Sequence, residues 1–197
     1  MKRPVIKAGL LAITMLGAAS AMAATAFNYN YVEGGLGQLD GGEAVFVNGA
    51  VDINKNWDLV GGLERGSVDP DFDITMLEAG AQYHQQIDSR LSWHAGLKLL
   101  YVKVEGDFVV VTGFGTIRQS FDADDTGLVA NGGLRYQVTP KLQLEGDIKL
   151  FQNDAWDDGL GLQGAARYYF DPKLSVAGGL AIDTELDGLF VSLRYDL

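Results

Sequence analysis

The sequence predicts an all-β chain, folded as a single antiparallel up-and-down transmembrane β-barrel of about ten strands, with eight or twelve as alternatives. Three observations carry this. Apolar and polar residues alternate with period two through nearly every segment, so each strand has one oily and one wet face. The wet faces hold balanced charge in a chain that is otherwise strongly acidic. The connections alternate between short turns and longer loops, as in a barrel with both termini at one rim.

The chain opens MKRPVIKAGLLAITMLGAASAMA. Lys2, Arg3 and Lys7 precede an apolar stretch from Ala8 to Ala19, and Ala21-Met22-Ala23 is a cleavage pattern. Residues 1–23 therefore read as a secretory signal peptide, because the apolar run is shorter than the ~20 residues of a spanning helix. Residues 24–197 are the barrel domain. Cleavage would remove three of the 15 Lys and Arg and none of the 26 Asp and Glu, leaving a net charge near −14. That balance excludes a nucleic-acid partner, which needs a basic surface. There is no Cys, so disulfides and a lipid-bearing cysteine are excluded.

Strands are expected near 27–37, 43–53, 57–66, 72–84, 91–104, 126–137, 142–151, 159–170, 174–182 and 188–197. Leu91, Trp93, Ala95, Leu97, Leu99 and Tyr101 share one face, opposite Ser92, His94, Gly96 and Lys98. Leu142, Leu144, Ile148 and Leu150 oppose Gln143, Glu145, Asp147 and Lys149. The final strand sets Leu189, Val191, Leu193, Tyr195 and Leu197 against Ser192, Arg194 and Asp196. The first strand is ambiguous, because Glu33 shares a face with Tyr29 and Tyr31.

On the wet faces Asp58, Glu64, Glu78, Glu145 and Asp147 meet Lys98, Arg135, Lys149, Arg167 and Arg194. Enclosed charges need partners, so these ten residues are expected to form an ion-pair network in the lumen, with the acidic excess in loops. The short connections are 54–56, 85–90, 138–141 and 171–173. The longer ones include 105–125 and the acidic segments 67–71, 152–158 and 183–187. Trp57, Tyr83, Trp93, Tyr136, Tyr168, Phe170 and Tyr195 fall on the oily faces at one edge, where an aromatic girdle at a periplasmic interface is expected. Ten residues at ~3.3 Å each, tilted by about 40°, span roughly 25 Å of hydrocarbon.

The opening Tyr29–Gly37, YNYVEGGLG, the repeated hairpins and the ending FVSLRYDL resemble the small outer-membrane β-barrel superfamily that includes the OmpA transmembrane barrel. The resemblance implies assembly through the barrel-assembly machinery, which reads the last strand (Leu189, Val191, Leu193, Tyr195 and Leu197). This chain ends in Leu197 where such proteins usually end in Phe or Trp. No peptidoglycan-binding domain is expected after the barrel.

His84 and His94 lie near the periplasmic edge, away from the outer edge where barrel enzymes act, so both are read as structural and no catalytic residue is expected. FDADD (121–125) and DPDFD (69–73) lack EF-hand spacing, so no specific metal site or cofactor is expected, only loose cation association beside lipopolysaccharide phosphates. Phe108–Ile117 reads either as an extension of its flanking strands, the favoured reading, or as an apolar contact surface. Gly49, Gly61, Ala79, Ala95, Gly132, Gly146, Gly164 and Gly178 fall mid-strand on the oily face, which curvature explains. Gly161, Ala165, Ala177, Gly179 and Ala181 project inward and leave room that Arg and Lys side chains are expected to fill. The functional expectation is an integral outer-membrane protein with a structural or adhesion-like role. Its partners would be membrane lipid, lipopolysaccharide and an extracellular ligand at the loops. A narrow pore is the alternative, and a barrel enzyme comes third.

Overall fold

Alternating side chains bury one face of a strand only if the sheet closes on itself or meets a second layer, and here it closes. A computed structural model of the chain describes residues 27–39, 42–67, 72–112, 115–153, 159–182 and 187–197. The expected signal peptide, the acidic segments 68–71, 154–158 and 183–186, and Trp156 lie outside the described residues. Those described form ten strands: β1 (Tyr31–Leu39), β2 (Gly42–Asn54), β3 (Trp57–Ser67), β4 (Phe72–Gln86), β5 (Leu91–Thr112), β6 (Gly115–Thr139), β7 (Leu142–Asn153), β8 (Gly159–Tyr169), β9 (Leu174–Ile182) and β10 (Asp187–Asp196). Each pairs antiparallel with the next, and β1 pairs with β10, so the sheet is a closed barrel without edges. The seam runs from Tyr31 opposite Asp196 to Leu39 opposite Gly188. Both described chain ends therefore lie at one rim, the terminal end. The opposite rim, where β5 and β6 project, is the hairpin end.

Two segments differ from the sequence expectation. Residues 27–30 are not strand. They turn into the mouth of the barrel, where Tyr29 is buried and the Asn30 carbonyl accepts a hydrogen bond from the Leu197 N–H at 2.9 Å. The strands flanking 105–125 do not stop at 104 and 126: β5 and β6 stay in register from Leu91 opposite Tyr136 to Thr112 opposite Gly115, in line with the favoured reading of 108–117 as their extension. Among the described residues, β4 pairs with β5 as far as Gly106, and β7 with β6 as far as Gly127. Past those points β5 and β6 continue paired to each other as a ribbon, hydrogen-bonded along their facing sides.

The distribution of polarity is the reverse of a soluble protein. Leu36, Leu99 and Leu189 are more than 60% exposed on the outer wall, whereas Asp58 and Arg167 are at most 1% exposed in the lumen. A continuous apolar exterior of this size calls for a lipid solvent rather than water. Its limits are marked on β3 to β6. At the terminal end Trp57, Tyr83 and Trp93 pack ring against ring, with centroids 5.4 and 5.5 Å apart. At the hairpin end the outer face turns charged: Arg65 pairs with Asp73 at 3.1 Å, and Lys103 lies 2.9 Å from Glu105 and 3.4 Å from Asp122. The Glu105 carboxylate, then Asp122, hold the Lys103 ammonium above the usual lysine range.

Candidate functional site: the lumen

The inward residues fall into tiers along the barrel axis. At the terminal end, Glu33 of β1 and Glu145 of β7 interleave with Arg167 of β8 and Arg194 of β10. Arg167 reaches Glu145 at 2.8 Å and Glu33 at 2.9 Å, and Arg194 reaches Glu33 at 2.7 Å and Glu145 at 3.3 Å. Ser192 donates to Glu33, and the Gln143 amide donates to Glu145 at 2.9 Å. Two acids and two bases thus neutralise one another where little water reaches. This makes removal of any one partner costly without making the cluster a net source of stability. Glu33, whose face was ambiguous in the sequence, points inward together with Tyr31, whose ring lies 4.0 Å under the Arg194 guanidinium.

Beside this tetrad the N-terminal arm enters the lumen. Tyr29 stacks on His84 with centroids 4.0 Å apart and rings nearly parallel, and its hydroxyl is hydrogen-bonded to Ser92 at 2.7 Å. Arg135 covers the other side of Tyr29 at 4.1 Å and donates to the Asn28 carbonyl at 3.0 Å. Arg135 thus meets aromatic faces and a carbonyl, a favourable site for a guanidinium. His84 Nδ1 donates to Asp58 at 2.8 Å, and His94 Nε2 donates to Asp147 at 2.6 Å. The second pair depends on Gly133, because a Cβ there would lie 2.4 Å from the Asp147 carboxylate and 2.6 Å from the His94 ring. Ser92 contacts Tyr29 and the Gln85 carbonyl, not a histidine.

The middle tier holds Lys98, bonded to Glu78 at 2.5 Å, with Glu64 and Lys149 nearby. Glu64 and Lys149 make no hydrogen bond or ion pair to any described residue, so the ten charged positions form separate groups rather than one network. Above them the lumen becomes apolar. Leu100, Val102 and Val129 form a buried cluster with Ile74, Met76, Val104 and Phe151 at the root of the projecting ribbon. Phe46 and Phe190 meet edge to face, 6.1 Å apart. The room left by Gly161 and Ala181 is not filled: Lys98, Arg167 and Arg194 are held lower by their carboxylates, and Lys149 lines the space without closing it. It remains a cavity of about 200 Å³.

The aromatic positions lie on the outer wall near the terminal end. Trp57, Tyr136, Phe170 and Tyr195 are exposed, Tyr83, Trp93 and Tyr168 are half-buried, and Lys173 approaches the Tyr195 ring at 5.5 Å. Leu189, Val191, Leu193 and Tyr195 face outward along β10, with Leu197 just past its end. Among the described residues no group of three or more His, Asp or Glu is arranged to hold a metal ion. Gly146 and Gly164 are cross-strand neighbours, and a Cβ on either would meet nothing within 4 Å, so the outer wall is open there. The ten lumen positions expected from the sequence leave out Tyr29, Glu33, His84 and His94, although His94 falls on the inward face of its expected strand. The clue was there in the shared face of Tyr29, Tyr31 and Glu33.

Comparison with known proteins agrees with this architecture. The KdgM porin superposes with a TM-score of 0.50 at 12% identity, over 85% of this chain and 99% of that one. Neisserial surface protein A aligns with a TM-score of 0.48 at 14% identity, over 85% and 96%. The attachment invasion locus protein Ail of Yersinia pestis aligns with a TM-score of 0.44 at 12% identity, over 84% and 95%. At 12% identity the likeness to the KdgM porin concerns the fold alone. Among curated proteins none matches the sequence. The family profile described as the outer membrane protein beta-barrel domain matches residues 8–152, well over half of the sequence, and this chain, a closed barrel with an apolar outer wall, belongs to that family and is located in the outer membrane.

Proposed function

We propose that this barrel is a non-conducting surface protein, whose role is to hold the β5–β6 ribbon outside the cell as a contact element. The observation that carries this reading is the floor of the lumen. Four charged side chains, Glu33, Glu145, Arg167 and Arg194, are tied to one another across it, and the arm bearing Tyr29 occupies the space beside them. A solute crossing the barrel would have to break several charge-assisted hydrogen bonds at once. With the terminal end in the periplasm, the ribbon of β5 and β6 rises on the external side, beyond the ring of Arg65, Asp73, Lys103 and Asp122. That ring would lie level with lipopolysaccharide headgroups, and the aromatic positions would lie at the periplasmic interface. During biogenesis β10 would be the strand read by the assembly machinery.

An enzymatic role is not proposed. Both histidines are engaged by aspartates in the floor, and Ser92 is engaged by Tyr29. The test is excision of residues 108–117 with Thr and Gly closing the turn. Cells bearing the shortened protein should lose adherence to surfaces or host components that intact cells bind, with solute permeability unchanged. Unchanged adherence, or altered permeability, contradicts the proposal.

A further inference from the structure

The lumen above the floor has a different character, and its chemistry is specific. The cavity of about 200 Å³ lies in the hairpin-end half, where a single water would need only roughly 10–15 Å³. Its wall includes Phe46, Phe151, Phe190, Ile74 and Met76, and its base includes Glu64, Glu78 and Lys149. The wall is pre-formed. Phe46 lies over Gly35 and Phe190 over Gly179, where an added Cβ would sit 2.3 and 2.5 Å from the ring atoms. These glycines are what allow two phenylalanines to lie flat inside a narrow barrel.

Together with Lys98, which lies outside the lining and pairs with Glu78, the base is electrically neutral, with Glu64 and Glu78 against Lys98 and Lys149, but its pairing is incomplete. Lys98 and Glu78 satisfy each other. Glu64 and Lys149 each line the cavity without a hydrogen bond or ion pair to any described residue, although Lys149 is within electrostatic reach of both Glu64 and Glu78. An ammonium and a carboxylate that face one space, without touching, offer a binding group of each sign. A ligand of net positive or net negative charge would leave one of them beside a like charge or unpartnered. A molecule that is neutral overall but carries both charges satisfies both. The apolar wall then selects for a hydrocarbon or aromatic side group of modest size.

We propose that this cavity binds a small zwitterion with an apolar side group, the chemical class of the apolar amino acids. The ammonium group is taken by Glu64, with Glu78 behind it, the carboxylate by Lys149, and the side group by Phe46 and Phe190. This site goes beyond the surface-contact reading and does not depend on it.

The test uses the mature barrel in lipid nanodiscs, where no detergent monomer competes, with L-phenylalanine as the probe in titration calorimetry. Phenethylamine, 3-phenylpropionate and glycine supply the comparison: cation only, anion only, and zwitterion without a side group. Saturable binding of phenylalanine, at least tenfold tighter than all three, is the expected result. Glu64→Gln and Lys149→Gln should each weaken it tenfold or more, and Ala181→Leu, which fills the cavity without touching charge, should abolish it. Heat-modifiable migration of each variant verifies folding. Absence of saturable phenylalanine binding overturns the proposal. So does phenethylamine or phenylpropionate binding as tightly as phenylalanine, which would mark the cavity as a simple cation or anion site.

Discussion

Glu33 and Arg167, 134 positions apart in sequence, hydrogen-bond at 2.9 Å across the floor of the barrel. Glu33 also holds Arg194, so one carboxylate from the first strand binds guanidinium groups from the eighth and the tenth. Glu33→Ala leaves two buried cations sharing Glu145. Breaking a buried pair on one side typically costs about 3–5 kcal/mol. A drop of that order is expected in urea unfolding of the barrel in lipid vesicles. A loss below about 0.5 kcal/mol, the size of an ordinary surface substitution, would mean the cluster is solvated.

Tyr29 is expected to act as a stopper rather than as a stabiliser of the sheet. It lies between His84 and Arg135 but contributes no ladder hydrogen bond. Tyr29→Ala should leave the β-sheet circular dichroism unchanged while admitting water beside His84, read as faster exchange of the imidazole proton by NMR. Unchanged exchange would show that the arm does not seal this side.

Gly133 is expected to be intolerant of any side chain. Its Cβ would meet the Asp147 carboxylate, the His94 ring and, at 2.7 Å, the Gly146 carbonyl, which cannot move without distorting β7. Gly133→Ala should destabilise the barrel by roughly 1–3 kcal/mol, the usual range for overpacking. Gly146→Ala, on the open outer wall, is the matched control and should be close to neutral in the same unfolding assay.

The outer wall can be tested at mid-depth. Leu97 is 56% exposed and lies on β5 between Trp93 and Lys103, which mark the two limits of the apolar band. Leu97→Arg should cost roughly 2–4 kcal/mol in a bilayer, as charge does at the midplane of such barrels. An unaffected folding free energy in vesicles would contradict a lipid-facing position.

Much of this fold was legible in the sequence, because period-two alternation survives wherever one face meets lipid and the other meets charge. β7 and β10 are clear examples. It failed where both faces are apolar. In Leu97-Lys98-Leu99-Leu100-Tyr101-Val102 the inner residues Leu100 and Val102 are as oily as the outer ones, so nothing in the pattern separates a dry lumen from a lipid face. The cavity and its phenylalanines were hidden for the same reason. The floor was hidden for a different one. Pairing Glu33 with Arg167 and Arg194 requires knowing how the strands stagger when the barrel closes, and that register is a property of the whole sheet. Tyr29 was assigned to a strand because its spacing from Tyr31 and Glu33 continues the alternation, although the ladder ends before it.

Single-channel recording of the purified barrel in planar lipid bilayers tests the central claim most directly. The wild type should show no steady opening, and Glu33→Ala, which unties the floor, should show discrete conductance steps. Large, steady openings in the wild type, unchanged by Glu33→Ala, would contradict a lumen closed by the Glu33, Arg167, Glu145 and Arg194 cluster.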